Sequence, residues 1–170
     1  KLYGLMESSA ISLGLASSTF LAQNYGAGEY ERVKRGLGDS CLLSVLISLA
    51  VTAFVIILRR PLIGLFLNPG EAGGAEAVEI AVYYLSVMAA GLSVLYLIYV
   101  FRNALQAMGI SLWSMVSGIV ECAVRVLMAK LVINYIGTDA LFLAESAAWI
   151  TALLGVFIPY LCLRKRLLRL

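Results

Sequence analysis

The chain has 170 residues, of which 62% are hydrophobic and only 14% are charged, and its net charge is +3. Soluble domains are about 45–50% apolar and about 25% charged, so a soluble protein of this length could not bury so much apolar surface. The composition therefore excludes an ordinary soluble enzyme, a nucleic-acid-binding domain and a disordered tail, and it predicts an integral membrane protein. The chain contains no histidine, which excludes Ser-His triads and sites built on histidine ligands.

Five segments are apolar enough to be predicted as transmembrane helices, each of which needs about 20 residues to cross a bilayer. In chain order they cover about residues 5–23, 41–58, 75–107, 112–133 and 141–163. The third would be about 50 Å long, which exceeds a hydrocarbon core of about 30 Å, so it is expected to tilt, to kink near Gly91 or to project beyond the membrane. The sequence thus predicts an all-α membrane protein, a bundle of about five transmembrane helices.

Glycine, proline and charge mark the connections between the predicted spans. Residues 25–39 (YGAGEYERVKRGLGD) and residues 59–74 (RRPLIGLFLNPGEAGG) are predicted to be loops, the second with a short apolar turn that opens at Pro61. Residues 108–111 and 135–140 are short joints. Short joints make consecutive helices antiparallel neighbours.

The basic residues are distributed unevenly between the two sides of the membrane. Three lie on one side, at Lys1, Arg59 and Arg60, and seven lie on the other, at Arg32, Lys34, Arg35, Arg164, Lys165, Arg166 and Arg169. Because short basic loops stay in the cytoplasm, the loop after the first span and the C-terminal tail, residues 164–170, are predicted to be cytoplasmic. Anionic lipid and the insertion machinery orient a membrane protein through such basic clusters, so the clusters are explained without nucleic acid as a partner. Five spans would place the N-terminus outside without a signal sequence, which favours one more helix upstream.

Polar residues on the fourth span fall on one face at helical spacing. They are Ser114, Ser117, Gly118, Glu121 and Arg125. Glu121 and Arg125 form an i,i+4 pair with the acid first, which is the favourable order. Because charges are costly inside a membrane, the pair either fixes how helices dock or acts directly in the passage of a substrate or an ion.

A second stripe, on the third span, combines aromatic, methionine and amide side chains. Its members are Tyr84, Met88, Tyr96, Tyr99, Asn103 and Gln106. Lipid tails offer no partner to a hydroxyl or an amide, so this stripe either packs against protein or lines a watery cavity. Arg102, near the cytoplasmic end, is expected to reach headgroups or water.

The first and fifth spans carry further polar positions. On the first span, small and polar residues that would let helices approach closely share one face, at Ser8, Ser12, Ala16, Thr19 and Gln23. Glu7 is either a solvated interfacial acid or a protonatable group at the mouth of a cavity. On the fifth span, Trp149 is expected in the interfacial aromatic belt, one helical turn after Glu145.

Four stretches of the chain resemble one family of transporters. STFLAQNYGAGEYERVKRG resembles the signature that follows the second helix of each lobe in multidrug and toxic compound extrusion (MATE) transporters. FRNALQAMG resembles the end of that family's tenth helix, and SGIVECAVRVLMAKLVINYIG and AESAAWITALLGVFIPY resemble its eleventh and twelfth. The stretches occur in the family's order and cover nearly the whole chain.

The resemblance implies that the chain forms helices eight to twelve, most of one six-helix lobe, and that its partner is the missing N-terminal lobe of the same chain. It implies an antiporter of the plasma membrane that works by alternating access, in which entry of Na⁺ or H⁺ drives export of small organic cations or drugs. Beyond the coupling ion, no cofactor and no metal are expected.

The resemblance also implies a cytoplasmic corner at the end of the first span, in which Gly26 and Gly28 would permit a left-handed turn. This family corner motif comprises Gln23, Asn24, Gly26, Ala27 and Gly28. A matching corner after the third span is implied at Arg102, Asn103, Gln106 and Gly109. Glu121 and Arg125 would be the inward-facing pair of the eleventh helix.

One departure from the family limits what the resemblance implies. Some branches bind a cation through an acid in the tenth helix, whereas the third span has no carboxylate between Glu79 and its cytoplasmic end, so the coupling-ion site is not assigned. Two alternatives stay open, a lipid-linked oligosaccharide flippase of the same superfamily and a non-transporting membrane scaffold subunit. An enzyme is not expected, because the carboxylates are scattered and no catalytic constellation is present.

Overall fold

The structure is a computed structural model that describes residues 2–68, 70, 73–132 and 139–167, without the side chains of residues 131, 132, 139–142 and 166. The described residues form α1 (Leu2–Gly26), α2 (Tyr30–Gly64), α3 (Gly74–Ala107), α4 (Ser111–Leu127), a π-helical turn (Met128–Val132) and α5 (Asp139–Leu167). This part of the chain contains no β-strand. The predicted all-α bundle of five helices is therefore confirmed.

Four segments within these helices have the length and apolar composition needed to cross a membrane, namely Tyr30–Gly64, Gly74–Ala107, Ser111–Lys130 and Leu143–Lys165. The serine-rich helix α1 is long enough, with 25 residues, but is not one of the four. The 35 residues of α2 and the 34 of α3 exceed the roughly 20 that a bilayer core requires. Both helices are therefore expected to tilt or to project beyond the hydrocarbon region.

Two segments that the sequence predicted as loops contain helix, so this part of the prediction was wrong. Residues 30–39 form the first turns of α2, which reduces the α1–α2 connection to residues 27–29. Pro61, expected to open a turn, lies inside α2, which continues to Gly64. Val33 and Leu37 are 1% and 4% exposed and pack into the core. Tertiary packing of this apolar side keeps the charged segment helical, since packing supplies most helical stability in proteins.

The α1–α2 and α3–α4 connections repeat one backbone geometry. Gly28 and Gly109 both have a φ of 78°, in the left-handed region that favours glycine. After each glycine, the next residue donates its N–H to a carbonyl five residues earlier, from Glu29 to Asn24 at 2.9 Å and from Ile110 to Leu105 at 2.8 Å. These bonds close the helix ends in the manner of a Schellman motif. The two tight turns lie at the same end of the antiparallel bundle.

The central helix of the bundle is α3, which contacts each of the other four α-helices. The helices α1 and α2 also contact each other, as do α4 and α5. Leu92, Val100 and Ala104 of α3 are all 0% exposed. The apolar core shared by the two helix pairs therefore lies around α3.

Trp149 of α5 is inside the bundle and not in the interfacial belt where it was expected. Its side chain is 0% exposed and stacks on Tyr3, with the ring centroids 6.1 Å apart. A Cβ added at Gly91 of α3 would lie 2.7 Å from the Trp149 ring, so only glycine leaves room for the indole. The helix α3 is continuous through Gly91, and this residue therefore serves the packing of α5 on α3.

Replacing Gly91 by alanine should destabilise the protein by about 1–3 kcal/mol, because the new methyl group would overlap a buried indole that has no free space around it. The measurement is the thermal unfolding midpoint of the purified product of the complete reading frame. Gly38→Ala is the matched control, since a Cβ at Gly38 meets nothing within 4 Å. Equal midpoints for the two variants would show that Gly91 has no packing role.

Candidate functional site

Four charged side chains from α3, α4 and α5 form one continuous chain of ion pairs. Arg102 Nη2 contacts Glu121 Oε2 at 2.7 Å, and Arg125 Nη2 contacts Glu121 Oε1 at 2.7 Å. Arg125 Nη2 also contacts Glu145 Oε2 at 2.8 Å. The charges alternate in sign and sum to zero. Both oxygens of Glu121 are bound by arginine and its side chain is only 12% exposed, so this carboxylate acts as a link between helices.

Two serines of α4 bind Arg102 and its helix. Ser117 Oγ is buried, accepts from Arg102 Nη2 at 2.9 Å and donates to the carbonyl of Ala152 in α5 at 2.8 Å. Ser114 Oγ donates to the backbone carbonyl of Arg102 at 2.8 Å. The expectation that Arg102 reaches headgroups was therefore wrong, because its guanidinium lies 18% exposed between α3 and α4.

The polar face predicted on α4 is therefore used mainly for helix docking. Ser114, Ser117, Glu121 and Arg125 all contact α3 or α5. Gly118 is different, since a Cβ there would meet nothing within 4 Å. Of the two roles left open by the sequence, the geometry favours the one in which the ion pair fixes how the helices dock.

Glu7 of α1 has a different environment from Glu121. Its Oε1 accepts a hydrogen bond from the Tyr99 hydroxyl at 2.9 Å. No lysine or arginine within the described residues lies at ion-pair distance from Glu7. The four-charge chain is neutral, so Glu7 differs from Glu121 and Glu145 in having no arginine partner among the described residues.

The stripe predicted on α3 is divided between the core and the surface. Met88 and Tyr96 are 0% exposed, and the Tyr96 hydroxyl forms a hydrogen bond with Ser9 of α1. These two residues pack against protein, so for them the cavity-lining alternative was wrong. Gln106 is exposed, and Tyr84 is half-buried at the other end of α3.

Tyr99 and Asn103 lie where α1 and α3 approach most closely. Asn103 Nδ2 donates to the Tyr99 carbonyl at 2.8 Å. A Cβ added at Gly14 of α1 would lie 2.7 Å from Asn103 Nδ2 and 3.1 Å from the Tyr99 carbonyl oxygen. The contact between α1 and α3 therefore positions Tyr99 beside Glu7.

The small and polar face predicted on α1 is exposed in this bundle. Ser8, Ser12, Ala16, Thr19 and Gln23 all lie on it. Its three hydroxyls donate to carbonyls one turn earlier within α1. The buried face instead comprises Met6, Ala10, Gly14, Ser17 and Leu21. Within the described bundle the close helix contacts of α1 are therefore made by this buried face, and contact of the hydroxyl face with a further helix stays a prediction.

The family corner motif lies at the end of α1 and in the turn that follows. Gln23, Asn24 and Gly26 are helical, and Asn24 Nδ2 donates to the Phe20 carbonyl at 2.8 Å. Ala27 donates its N–H to the Gln23 carbonyl at 3.1 Å. Only Gly28 of this motif has a left-handed backbone, whereas Gly26 is the last helical residue.

The family model of MatE matches residues 2–136. The chain belongs to the MatE family. Members of this family are transporters, and the apolar helices make this MatE chain a multi-pass membrane protein in contact with lipid. The resemblance to this family is thereby confirmed, although the fourth stretch, residues 144–160, lies beyond the matched range.

A structural comparison supports the same fold. The chain is similar to a multidrug resistance MATE family transporter of the MOP superfamily solved in an inward-facing conformation, with a TM-score of 0.80 and 21% sequence identity. The alignment covers 92% of this chain and 34% of that transporter, so the MatE chain spans about a third of its length. No curated protein matches the chain.

Helical spacing detected only part of the ionic site of this MatE chain. The i,i+4 pair of Glu121 and Arg125 was visible within one helix, whereas Arg102 and Glu145 were assigned to the membrane boundaries. The signal that could have found them is their position in otherwise apolar helices. A charge in such a helix must find a partner on another helix if no water is near.

Replacing Glu121 by glutamine should destabilise the bundle, because two arginines would then face each other across a neutral amide. We expect a loss of about 2–3 kcal/mol, less than the roughly 3–5 kcal/mol of a fully buried pair, since Arg125 is 38% exposed. Thermal unfolding of the purified protein measures the loss.

Arg60→Gln is the control for Glu121→Gln. It breaks the Arg60–Glu79 pair, whose side chains are 65% and 61% exposed, and should change stability by less than about 1 kcal/mol. Adding Arg102→Gln to Glu121→Gln should recover part of the loss by removing one unpaired cation. Wild-type stability for Glu121→Gln alone would contradict the docking role.

Proposed function

We propose that the chain forms most of one lobe of a plasma-membrane transporter that exports small organic cations or drugs in exchange for Na⁺ or H⁺. The observation that carries this proposal is the exposed hydroxyl face of α1 next to Glu7, a carboxylate that has no ion-pair partner among the described residues. Its hydroxyls donate within α1, and small and polar faces of membrane helices are enriched where a helix meets protein or a watery cavity, so the face favours a second lobe or a water-filled space opposite α1. A cationic cargo passing there would be attracted by the carboxylate of Glu7.

A second lobe would complete this pathway. The solved transporter of this fold is about three times as long as the chain, which supports a partner lobe facing α1. Alternating access would then consist of one lobe rocking against the other around a site between them. The distribution of basic residues supports a cytoplasmic position for the Gly28 and Gly109 turns and for the C-terminus.

Glu7 is the residue of this lobe best suited to bind a proton, Na⁺ or a cationic substrate. Its only described partner is the neutral Tyr99 hydroxyl, whereas Glu121 and Glu145 are both neutralised by arginine. A carboxylate without a fixed counter-ion keeps its charge available to a mobile one. If the ion and the substrate bind to the Glu7 carboxylate in turn, the movement of one across the membrane would be coupled to the movement of the other.

The charge pattern also bears on the flippase alternative. A flippase for lipid-linked oligosaccharides would need free cationic groups for the phosphates of its cargo. Arg102 and Arg125 are both compensated by carboxylates, whereas Glu7 has no ion-pair partner among the described residues. This arrangement supports export of cations.

Export is tested in cells that lack their own efflux pumps and that express the complete reading frame. Such cells should accumulate less ethidium, a fluorescent organic cation, than cells with the empty vector. Collapse of the Na⁺ or H⁺ gradient should abolish the difference and identify the coupling ion. If the protein reaches the membrane and no organic cation is exported, the transport proposal is wrong.

Glu7→Gln should reduce ethidium export about tenfold or more, because the amide keeps the shape of the side chain and removes its charge. Initial export rates at several ethidium concentrations measure the effect. Glu76→Gln is the matched control, since Glu76 is an exposed acid in the first turn of α3. Unchanged rates for Glu7→Gln at normal expression would exclude Glu7 from the transport path.

A further inference from the structure

Two groups of basic side chains lie at the end of the bundle that contains the Gly28 and Gly109 turns. Each group adjoins an apolar run, because residues 41–58 follow the first and residues 141–163 precede the second. The five side chains are all exposed, and they are Arg32, Lys34 and Arg35 in the first turns of α2 and Arg164 and Lys165 in the last turns of α5. Basic residues that directly flank a membrane span lie at the level of the lipid headgroups.

Apolar packing on α3 fixes both basic groups. Val33 and Leu37 of α2 and Leu167 of α5 are 1%, 4% and 8% exposed, and all three belong to one core cluster with Ala104 and Met108 near the end of α3. The helices α2 and α5 each contact α3, whereas they are not neighbours of each other in the described bundle. The two groups are therefore separate patches that flank the end of α3.

The carboxylates around these cations do not neutralise them. The ion pairs of the described side chains are Arg60–Glu79 and the chain from Arg102 to Glu145, so none of the five basic residues belongs to an ion pair. Three exposed acids lie beside them, at Glu29, Glu31 and Asp39. Five basic and three acidic residues leave these turns with a net charge of +2. Two singly charged phosphates would balance this charge.

Aromatic side chains mark the same level of the bundle. Tyr25 and Tyr30 meet edge to face across the α1–α2 turn, with ring centroids 5.7 Å apart. Tyr160, one helical turn before Arg164 in α5, packs on Phe101 with ring centroids 5.4 Å apart. Tyrosine is enriched where a membrane helix enters the headgroup layer, because its ring is apolar and its hydroxyl is polar. The rings therefore support a position of both basic patches beside the phosphates of lipids.

We propose that the two basic patches together bind one anionic phospholipid that carries two phosphate groups, as cardiolipin does. One phosphate lies at Arg32 and Arg35, the other lies at Arg164 and Lys165, and the glycerol that joins them crosses the end of α3. A lipid with one phosphate fills only one patch, whereas joined phosphates meet the second patch at a high effective concentration. This lipid site is independent of the cargo and of the coupling ion, which are proposed to bind at Glu7.

Native mass spectrometry of the full-length protein in detergent tests the proposal, with cardiolipin, phosphatidylglycerol and phosphatidylcholine added separately. We expect cardiolipin to bind at least about tenfold more tightly than phosphatidylglycerol, because it occupies both patches. Phosphatidylcholine, which has no net charge, should bind more weakly than either. Equal affinities for cardiolipin and phosphatidylglycerol would show that the patches act singly and would overturn the proposal.

Inorganic pyrophosphate distinguishes a lipid from a free phosphate. It carries two phosphate groups without acyl chains, so it should not displace cardiolipin at an equal concentration. Displacement under these conditions would mean that the patches form a site for a soluble anion, and the lipid proposal would then be wrong.

Two double variants locate the bound lipid. Arg32→Gln with Arg35→Gln, and Arg164→Gln with Lys165→Gln, should each lower the affinity for cardiolipin about tenfold or more, to that for phosphatidylglycerol. Arg59→Gln with Arg60→Gln is the matched control, since it removes the same number of cations from the opposite end of α2. The control should stay within about twofold of the wild type. Unchanged cardiolipin binding in either patch variant would contradict a lipid that bridges the patches.

Asp39→Asn tests the charge balance in the opposite direction. Asp39 follows Arg35 by one helical turn and shares its face of α2, so its carboxylate repels a phosphate held there. The change should tighten cardiolipin binding about threefold, a gain that a folding defect cannot produce. Glu76→Gln removes an exposed acid at the other end of the bundle and is the control. Equal cardiolipin affinities of Asp39→Asn and the wild type would place the phosphate elsewhere and overturn the proposal.

Discussion

The chain of ion pairs from Arg102 through Glu121 and Arg125 to Glu145 is the interaction on which the arrangement of three helices depends. Lipid tails exert no hydrophobic force that would press apolar helices together, so polar links and close packing decide which faces meet. An unpaired charge in this setting would be very costly. The sharing of Glu121 by two arginines therefore holds α3, α4 and α5 in one relative position, with Ser117 bridging the same helices.

The other half of the bundle is held mainly by close packing, since its Arg60–Glu79 ion pair is exposed. Gly14 brings α1 against the backbone of α3 at Tyr99, and Gly91 makes room on α3 for the indole of Trp149. The polar links between α2 and α3 include short hydroxyl bonds, from Ser48 to Ser93 at 2.7 Å and from Thr52 to the Ala89 carbonyl at 2.9 Å. Near the other end of these helices Arg59 donates to Ser86 and Arg60 pairs with Glu79. Small side chains thus let three helices surround α3 closely enough for dispersion forces to act.

These two sets of contacts leave charge and polarity at specific places. The ionic chain neutralises Glu121 and Glu145. The approach of α1 to α3 sets Glu7 beside the Tyr99 hydroxyl, and no cation of the described part of the chain lies at ion-pair distance from it. The hydroxyl face of α1 lies next to this acid and points away from the bundle. In the proposed function, this combination would provide the cation pathway on the α1 side.

The sequence by itself determined the membrane environment, the helical class, the number of helices and the family, because hydropathy, glycine corners and motif order are local properties. It also paired Glu121 with Arg125 through helical spacing. The partners of Arg102 and Glu145, the burial of Trp149 and Tyr96, and the exposure of the α1 serines were decided only by the tertiary structure. Spacing tells which residues share a face of one helix, but which neighbour that face meets depends on how all five helices pack together.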